Sequence, residues 1–141
     1  MKIYFAAAMR GGRDNLTTNQ QIVAHLARLG HEVLTMHVTA KDVLAHEEER
    51  TDRQIFDRDM RLLAQADALV AETTTPSLGT GYEIAVALQQ KIPVLCMYRR
   101  DIVIRLSPLI AGNSAAYFQA VGYVGDGWRP IVEGFLQQAG R

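Results

Sequence analysis

Ala66-Asp-Ala-Leu-Val-Ala-Glu72-Thr-Thr-Thr-Pro-Ser77-Leu-Gly-Thr-Gly-Tyr-Glu83 is the stretch that decides the fold. Its first part, Asp67 to Ala71, is a short apolar run of the kind that forms a fully buried strand. Its middle, Thr73 to Thr80, is a loop of Thr, Pro, Ser and Gly. From Gly81 to Gln90 the pattern turns helical. A buried strand that feeds a helix through a small-residue loop is the building unit of a parallel sheet.

The same alternation continues on both sides. Lys2 to Ala8 reads as a first strand. Leu16 to Leu29 carries Ile22, Val23, Leu26 and Leu29 at helical spacing, with Gly30 as the stop signal. His31 to Met36 reads as a second strand and Asp52 to Ala66 as a helix. Asp67 to Ala71 is then the third strand, Pro93 to Tyr98 the fourth and Tyr117 to Tyr123 the fifth. Arg129 to Ala139 closes the chain as a helix, with Pro130 tolerated in its first turn. The expectation is a single α/β domain over residues 1–141, Rossmann-like or flavodoxin-like. Its five-stranded parallel sheet would be covered on both faces to give three layers. Ligands of such sheets bind beyond the carboxyl ends of the strands. That directs attention to Ala8–Arg13, Met36–Thr39, Glu72–Glu83 and Tyr98–Ser107.

Composition narrows the partners. The chain has 141 residues, 48% of them hydrophobic, with 15 basic and 15 acidic side chains and a formal net charge of +0. A nucleic-acid or anionic-membrane surface calls for an excess of basic charge, so neither is expected. No apolar run approaches the ~18–20 residues of a membrane span. The apolar start, Met1 to Ala8, is too short for a secretory signal and runs into arginines, so the expected compartment is the cytoplasm. The single cysteine, Cys96, lies in an apolar run and reads as a small buried hydrophobe.

Several segments could carry chemistry. After the first strand come Ala8, Met9, Arg10, Gly11, Gly12 and Arg13. The glycines allow a ligand close to the backbone, and the arginines offer forked donors to an anion. A tight turn with exposed charges explains the same residues, and the segment alone leaves both readings open. Thr73 to Gly81 places small and hydroxylated residues ahead of a helix, which makes an anion cradle of free N–H groups. Glu83 follows in the early turns, either as a dipole partner or as a carboxylate held beside a phosphate. Asp59, within its helix, reads on its own as a solvated aspartate paired with Arg53, Arg58 or Arg61. His37 ends the second strand and is the one histidine aimed at the ligand edge. No His, Cys or carboxylate spacing suggests a metal site, and no cofactor is expected.

Taken in order, Lys2-Ile-Tyr-Phe5, Met9-Arg-Gly-Gly-Arg13, Leu34-Thr-x-His37-Val, Asp59, Ala66-Asp67, Val70-Ala-Glu72-x-Thr and Pro76-Ser-Leu-Gly-x-Gly-Tyr-Glu83 resemble the 2'-deoxynucleoside 5'-phosphate N-hydrolases. That family lies within the nucleoside 2-deoxyribosyltransferase-like superfamily. The resemblance runs from Lys2 to about Gly112. It implies that Glu83 attacks or stabilises the sugar C1', that Asp59 stands near the leaving base, and that Tyr4 orients the glutamate. It implies that Arg10 to Arg13 wrap the nucleotide, that Ser77 and Gly79 contact the phosphate, and that Ile22, Ile55 and His37 line the base pocket. Ser107 matches a serine supplied by the partner subunit, so a homodimer with shared sites is implied. Ala8 stands where the family has a phosphate-binding serine.

The implied substrate is a small nucleotide, hydrolysed to free base and 2-deoxyribose 5-phosphate. A nucleoside 2-deoxyribosyltransferase is the second reading. That branch resembles this string but carries an acidic residue at the place of Ser77, where a phosphate would be repelled. A nucleotide-binding module without turnover is the third. It has no use for carboxylates beside an anion.

Overall fold

The structure is a computed structural model that describes residues 1–9, 15–39, 49–103 and 105–141. Five strands form one sheet in the order β2-β1-β3-β4-β5, every pair parallel: β1 Lys2–Ala7, β2 Glu32–Val33, β3 Ala68–Glu72, β4 Val94–Arg99 and β5 Phe118–Tyr123. The helices are α1 Leu16–Arg28, α2 Asp52–Leu63, α3 Leu78–Gln89, the short α4 Pro108–Ala111, and α5 Trp128–Ala139. Strand order reverses direction between β1 and β3, so the carboxyl ends of these two strands flank the switch point where such folds bind ligands.

Period-2 alternation sorts β1 onto two cores. Ile3, Phe5 and Ala7 meet α1 and α5 through Ile22, Val23, Leu26, Trp128, Val132 and Phe135. Tyr4 and Ala6 face the other way, toward Leu63 of α2 and Ile84 and Ala87 of α3. Each side of the sheet is therefore covered, as the near-continuous apolar strands require. Cys96 lies within the second core, fully buried, and burial pushes its thiol up to about 12.

Local signals set the helix ends. Thr51 caps α2 through a capping box with Gln54, so the helix starts at Asp52 as the sequence predicts. Gly30 takes φ 84 just beyond α1, and its N–H and that of His31 close onto Ala27 and Leu26 carbonyls. Two expectations shift. The helix expected from Gly81 begins at Leu78, because the Ser77 hydroxyl accepts from the N–H of Thr80 at 3.2 Å and caps it there.

The second strand, expected over His31–Met36, is only two residues long. The cause is Thr35. Its hydroxyl accepts from the Phe5 N–H at 2.8 Å and donates to the Phe5 carbonyl at 2.7 Å. One side chain thus takes both backbone partners the strand would have used. The chain is then released into a 3-10 helix, Met36–Thr39.

Candidate active site

Tyr4 sits in the middle of β1 on the α2/α3 side and is 1% exposed. Its hydroxyl donates to Oε1 of Glu83 at 2.6 Å. Glu83 is in the second turn of α3, half-buried, at the seam between that helix and the sheet. Burial raises its carboxyl from the ordinary range to about 7. The Tyr4 hydrogen bond works against that rise, the charge of Asp59 adds to it, and the charge of Arg58 subtracts. Burial and the neighbouring carboxylate push Tyr4 far above its usual range, so its hydroxyl remains a donor at every physiological pH.

Asp59 is buried on α2, not solvated. Arg58 Nε donates to its Oδ1 at 2.8 Å, and His37 Nε2 stands 4.0 Å from the same oxygen. The expectation that His37 ends the second strand is corrected: the 3-10 helix that follows Thr35 carries it to Asp59. Ile55 lies four residues before Asp59, hence on the same helix face, and is half-buried. Tyr4, Glu83, Asp59 and His37 therefore belong to one group assembled from β1, α3, α2 and the 3-10 helix.

Ser77 uses its oxygen as an acceptor for the α3 cap, which leaves the hydroxyl proton to donate. Gly79 is in the exposed first turn. A Cβ there would meet only Ser77 Oγ, at 3.8 Å. Nothing among the described residues requires a glycine at that place, although glycine in a helix costs about 0.5–1 kcal/mol relative to alanine. Beside this turn runs a cleft of about 600 Å³ between α3 and the segment that leads into α4. Its polar lining includes Ser77, Thr80, Arg105 and Ser107. Thr80 Oγ1 is buried without a hydrogen-bond partner among the described residues. Ser107 precedes α4, is exposed, and makes no side-chain cap. Tyr4, Asp59 and Glu83 do not line this cleft.

The remaining sequence candidates fall elsewhere. Ala8 is buried at the end of β1, and Met9, half-buried, packs on the α1/α5 core. Ile22 is fully buried in that core, across the sheet from Tyr4, and is not brought to the group. Arg10, Gly11, Gly12 and Arg13 lie outside the described residues. Among the described residues no group of three or more His, Cys, Asp or Glu could hold a metal ion, and no helix is long and apolar enough to cross a membrane.

Arg58 was legible only as one of three possible counter-charges. Neighbours one position apart on a helix diverge by ~100°, so spacing gives no hint that Arg58 bends round to Asp59. Thr80 was legible only as one member of the small, hydroxylated stretch ahead of α3, and Arg105 only as part of the Tyr98–Ser107 segment.

The chain is similar to known proteins in sequence and in fold. A family described as nucleoside 2-deoxyribosyltransferase matches residues 3–124. A Thermofilum pendens protein provisionally named 2'-deoxynucleoside 5'-phosphate N-hydrolase 1 is 44% identical, covering 87% of this chain and 85% of its own. The 5-hydroxymethyl-dUMP N-hydrolase of Tetraodon nigroviridis is 40% identical, covering 96% and 97%. Among solved structures, the Clostridium botulinum CMP N-glycosidase shares the fold with a TM-score of 0.71 at 16% identity, over 96% of this chain and 99% of that one.

Proposed function

The chain belongs to the nucleoside 2-deoxyribosyltransferase family, and we propose that within it this protein hydrolyses the N-glycosidic bond of 2'-deoxynucleoside 5'-monophosphates. The observation that carries the reading is the Tyr4–Glu83 pair at 2.6 Å, with Asp59 close enough for its charge to act on Glu83. Names of the relatives support the reaction class. In this reading a Glu83 oxygen attacks C1' as the bond to the base nitrogen breaks and its electron pair leaves with the base. The transition state is oxocarbenium-like, and the carboxylate offsets its positive charge. Asp59, oriented by Arg58, hydrogen-bonds to or protonates the departing base. Water then attacks C1' as the bond to the Glu83 oxygen breaks, the water's proton passing to Asp59 or to the departed base. 2-Deoxyribose 5-phosphate and the free carboxylate are released. Tyr4 holds Glu83 in place and favours its ionised form.

The phosphate would sit at the start of α3. Ser77 has a hydroxyl proton to donate, the first-turn N–H groups point outward, and the bare Gly79 lets a dianion approach closely. Ile55 and His37, beside Asp59, would flank the base. The second reading, transfer of the sugar to another base, shares the glutamate but lacks a reason for a serine at position 77. A homodimer is part of the proposal. Leu78 and Leu109 are exposed on the α3 cleft and give a second copy apolar surface to cover, with Ser107 beside them. Sedimentation at the mass of one chain would remove that part. The setting we infer is the cytoplasm, where nucleoside monophosphates are found.

The experiment is a screen of deoxy- and ribonucleoside monophosphates, 5-hydroxymethyl-dUMP and the free deoxynucleosides, with and without an acceptor base. Released base and sugar phosphate are read by chromatography. Monophosphates are expected to be cleaved at least about a hundred-fold better than free nucleosides, because charge-assisted bonds to the phosphate contribute ~1.5–3 kcal/mol each. Equal cleavage of both refutes the phosphate site, and a new nucleoside formed from the acceptor base supports the transferase.

A further inference from the structure

One buried carboxylate takes no part in this chemistry. Glu72 ends β3, is 2% exposed, and by strand alternation faces the α1/α5 side, away from Tyr4 and Glu83. Its Oε1 accepts from the Tyr123 hydroxyl at 3.0 Å and from the Thr74 hydroxyl. Its Oε2 accepts from the Thr74 backbone N–H at 3.3 Å. The donors are themselves engaged. Tyr123 accepts from Nδ2 of Asn15 at 3.3 Å, and Thr74 Oγ1 accepts from the backbone N–H of Arg99 at 2.9 Å. Hydrogen bonds thus run inward from the end of β5, the start of α1 and the end of β4. Only an acceptor at the centre satisfies them all.

Two details show that the arrangement takes precedence over ordinary local uses. Asn15 is the N-cap of α1, where an asparagine side chain usually accepts from its own helix, yet it makes no cap bond there. Thr73 and Thr74 would be free loop residues by sequence. Instead, both the N–H and the hydroxyl of Thr73 bond to the Met97 carbonyl, at 2.7 and 2.9 Å. The loop that opens at Thr73 ends at Ser77, the cap of α3.

We propose that Glu72 is a positioning residue for the Thr73–Ser77 loop, which it fixes against β4, β5 and the start of α1 so that Ser77 and the first turn of α3 meet the substrate's phosphate. The inference rests on the phosphate reading given above. A carboxylate that only stabilised the fold would change melting without changing substrate binding. One that sets the loop changes KM.

The test is steady-state kinetics on a deoxynucleoside monophosphate, with the thermal midpoint of every variant. Glu72→Gln keeps the shape but turns an N–H toward a donor. Its KM is expected to rise about ten-fold, with kcat within about two-fold of wild type. Thr74→Val should show the same split, Thr74→Ser should restore the wild-type KM, and Tyr123→Phe should fall between. Wild-type KM in Glu72→Gln, Thr74→Val and Tyr123→Phe, with only lowered midpoints, overturns the proposal. So does a fall in kcat at constant KM. If Glu72→Gln does not fold, the two single-group variants decide by the same criterion. A wild-type protein that cleaves no monophosphate refutes the reading of the reaction instead. The monophosphate dissociation constant from calorimetry then replaces KM, with the same ten-fold rise supporting the role of Glu72 and no change overturning it.

Discussion

Glu83 and Glu72 stand on opposite faces of one sheet, and each is held by a tyrosine hydroxyl: Tyr4 at 2.6 Å and Tyr123 at 3.0 Å. Burial raises the pKa of both. They differ in what else surrounds them. Around Glu72 the neighbours are donors, with Thr74 bonding to both oxygens. Around Glu83 they are charges, Asp59 raising and Arg58 lowering its proton affinity. A buried carboxylate saturated with donors is a fixed part of the frame. One braced at a single oxygen beside another carboxylate keeps a proton affinity near neutrality, which suits chemistry. The number and kind of partners separates the two roles.

The largest effect separates the two sites. Glu83→Gln is expected to lower turnover by on the order of 10³-fold or more while monophosphate binding survives. It is also expected to stabilise the fold at high pH. The folded carboxyl titrates at about 7 and the unfolded one at 4.5. Between those values the folded state holds a proton the unfolded state has lost, so this group's stabilisation, full below 4.5, is lost as pH rises to 7. A neutral glutamine avoids the loss, a gain on the order of 1–3 kcal/mol above pH 7. At Glu72 the same substitution leaves donors facing an amide and should lower the melting temperature. Thermal unfolding at pH 5 and pH 8 reads both. A Glu83→Gln protein that turns over normally, or melts lower than wild type at pH 8, breaks the comparison.

A smaller effect sharpens it. The Tyr4 hydrogen bond lowers the Glu83 pKa and the Asp59 charge raises it. Tyr4→Phe should therefore move the acid limb of the pH–rate profile upward, and Asp59→Asn should move its residual activity downward, each by up to about one unit. Limbs that coincide with wild type would show that Glu83 is not the group being titrated. The smallest effect concerns Ala8, buried at the end of β1 where the resembling family has a serine. Ala8→Ser adds one neutral donor, worth ~0.5–1.5 kcal/mol, and should lower KM for monophosphates by about two- to ten-fold. An unchanged KM places the phosphate away from the end of β1.

Much of this was legible in the chain. Apolar runs of five or six residues separated by amphipathic stretches dictate buried parallel strands, and the strand-to-helix passage from Asp67 to Glu83 fixes which ends of the strands matter. The Ser77–Glu83 string marked the catalytic candidate and its cradle. The two misplaced element boundaries have one cause: a side chain replacing a backbone partner. Thr35 shortened β2 by taking both ladder bonds of Phe5, which moved His37 from a strand end to a 3-10 helix. Ser77 started α3 three residues before Gly81 by taking the Thr80 N–H.

Sequence alone determined the α/β class and the run of strands and helices, because these follow from periodicity and composition within short windows. The residues tied to glycosidic chemistry came only from the resemblance that the ordered motifs carry. Tertiary structure alone decided that Asp59 is buried against Arg58, that Ile22 belongs to the far core, and that Glu72 gathers donors from Thr74 and Tyr123. Two of these outcomes join groups far apart in the chain, 51 positions for Tyr123 and Glu72 and more for Ile22 and Trp128. Burial and hydrogen bonding, which set a carboxylate's role, exist only after the sheet has brought such groups together.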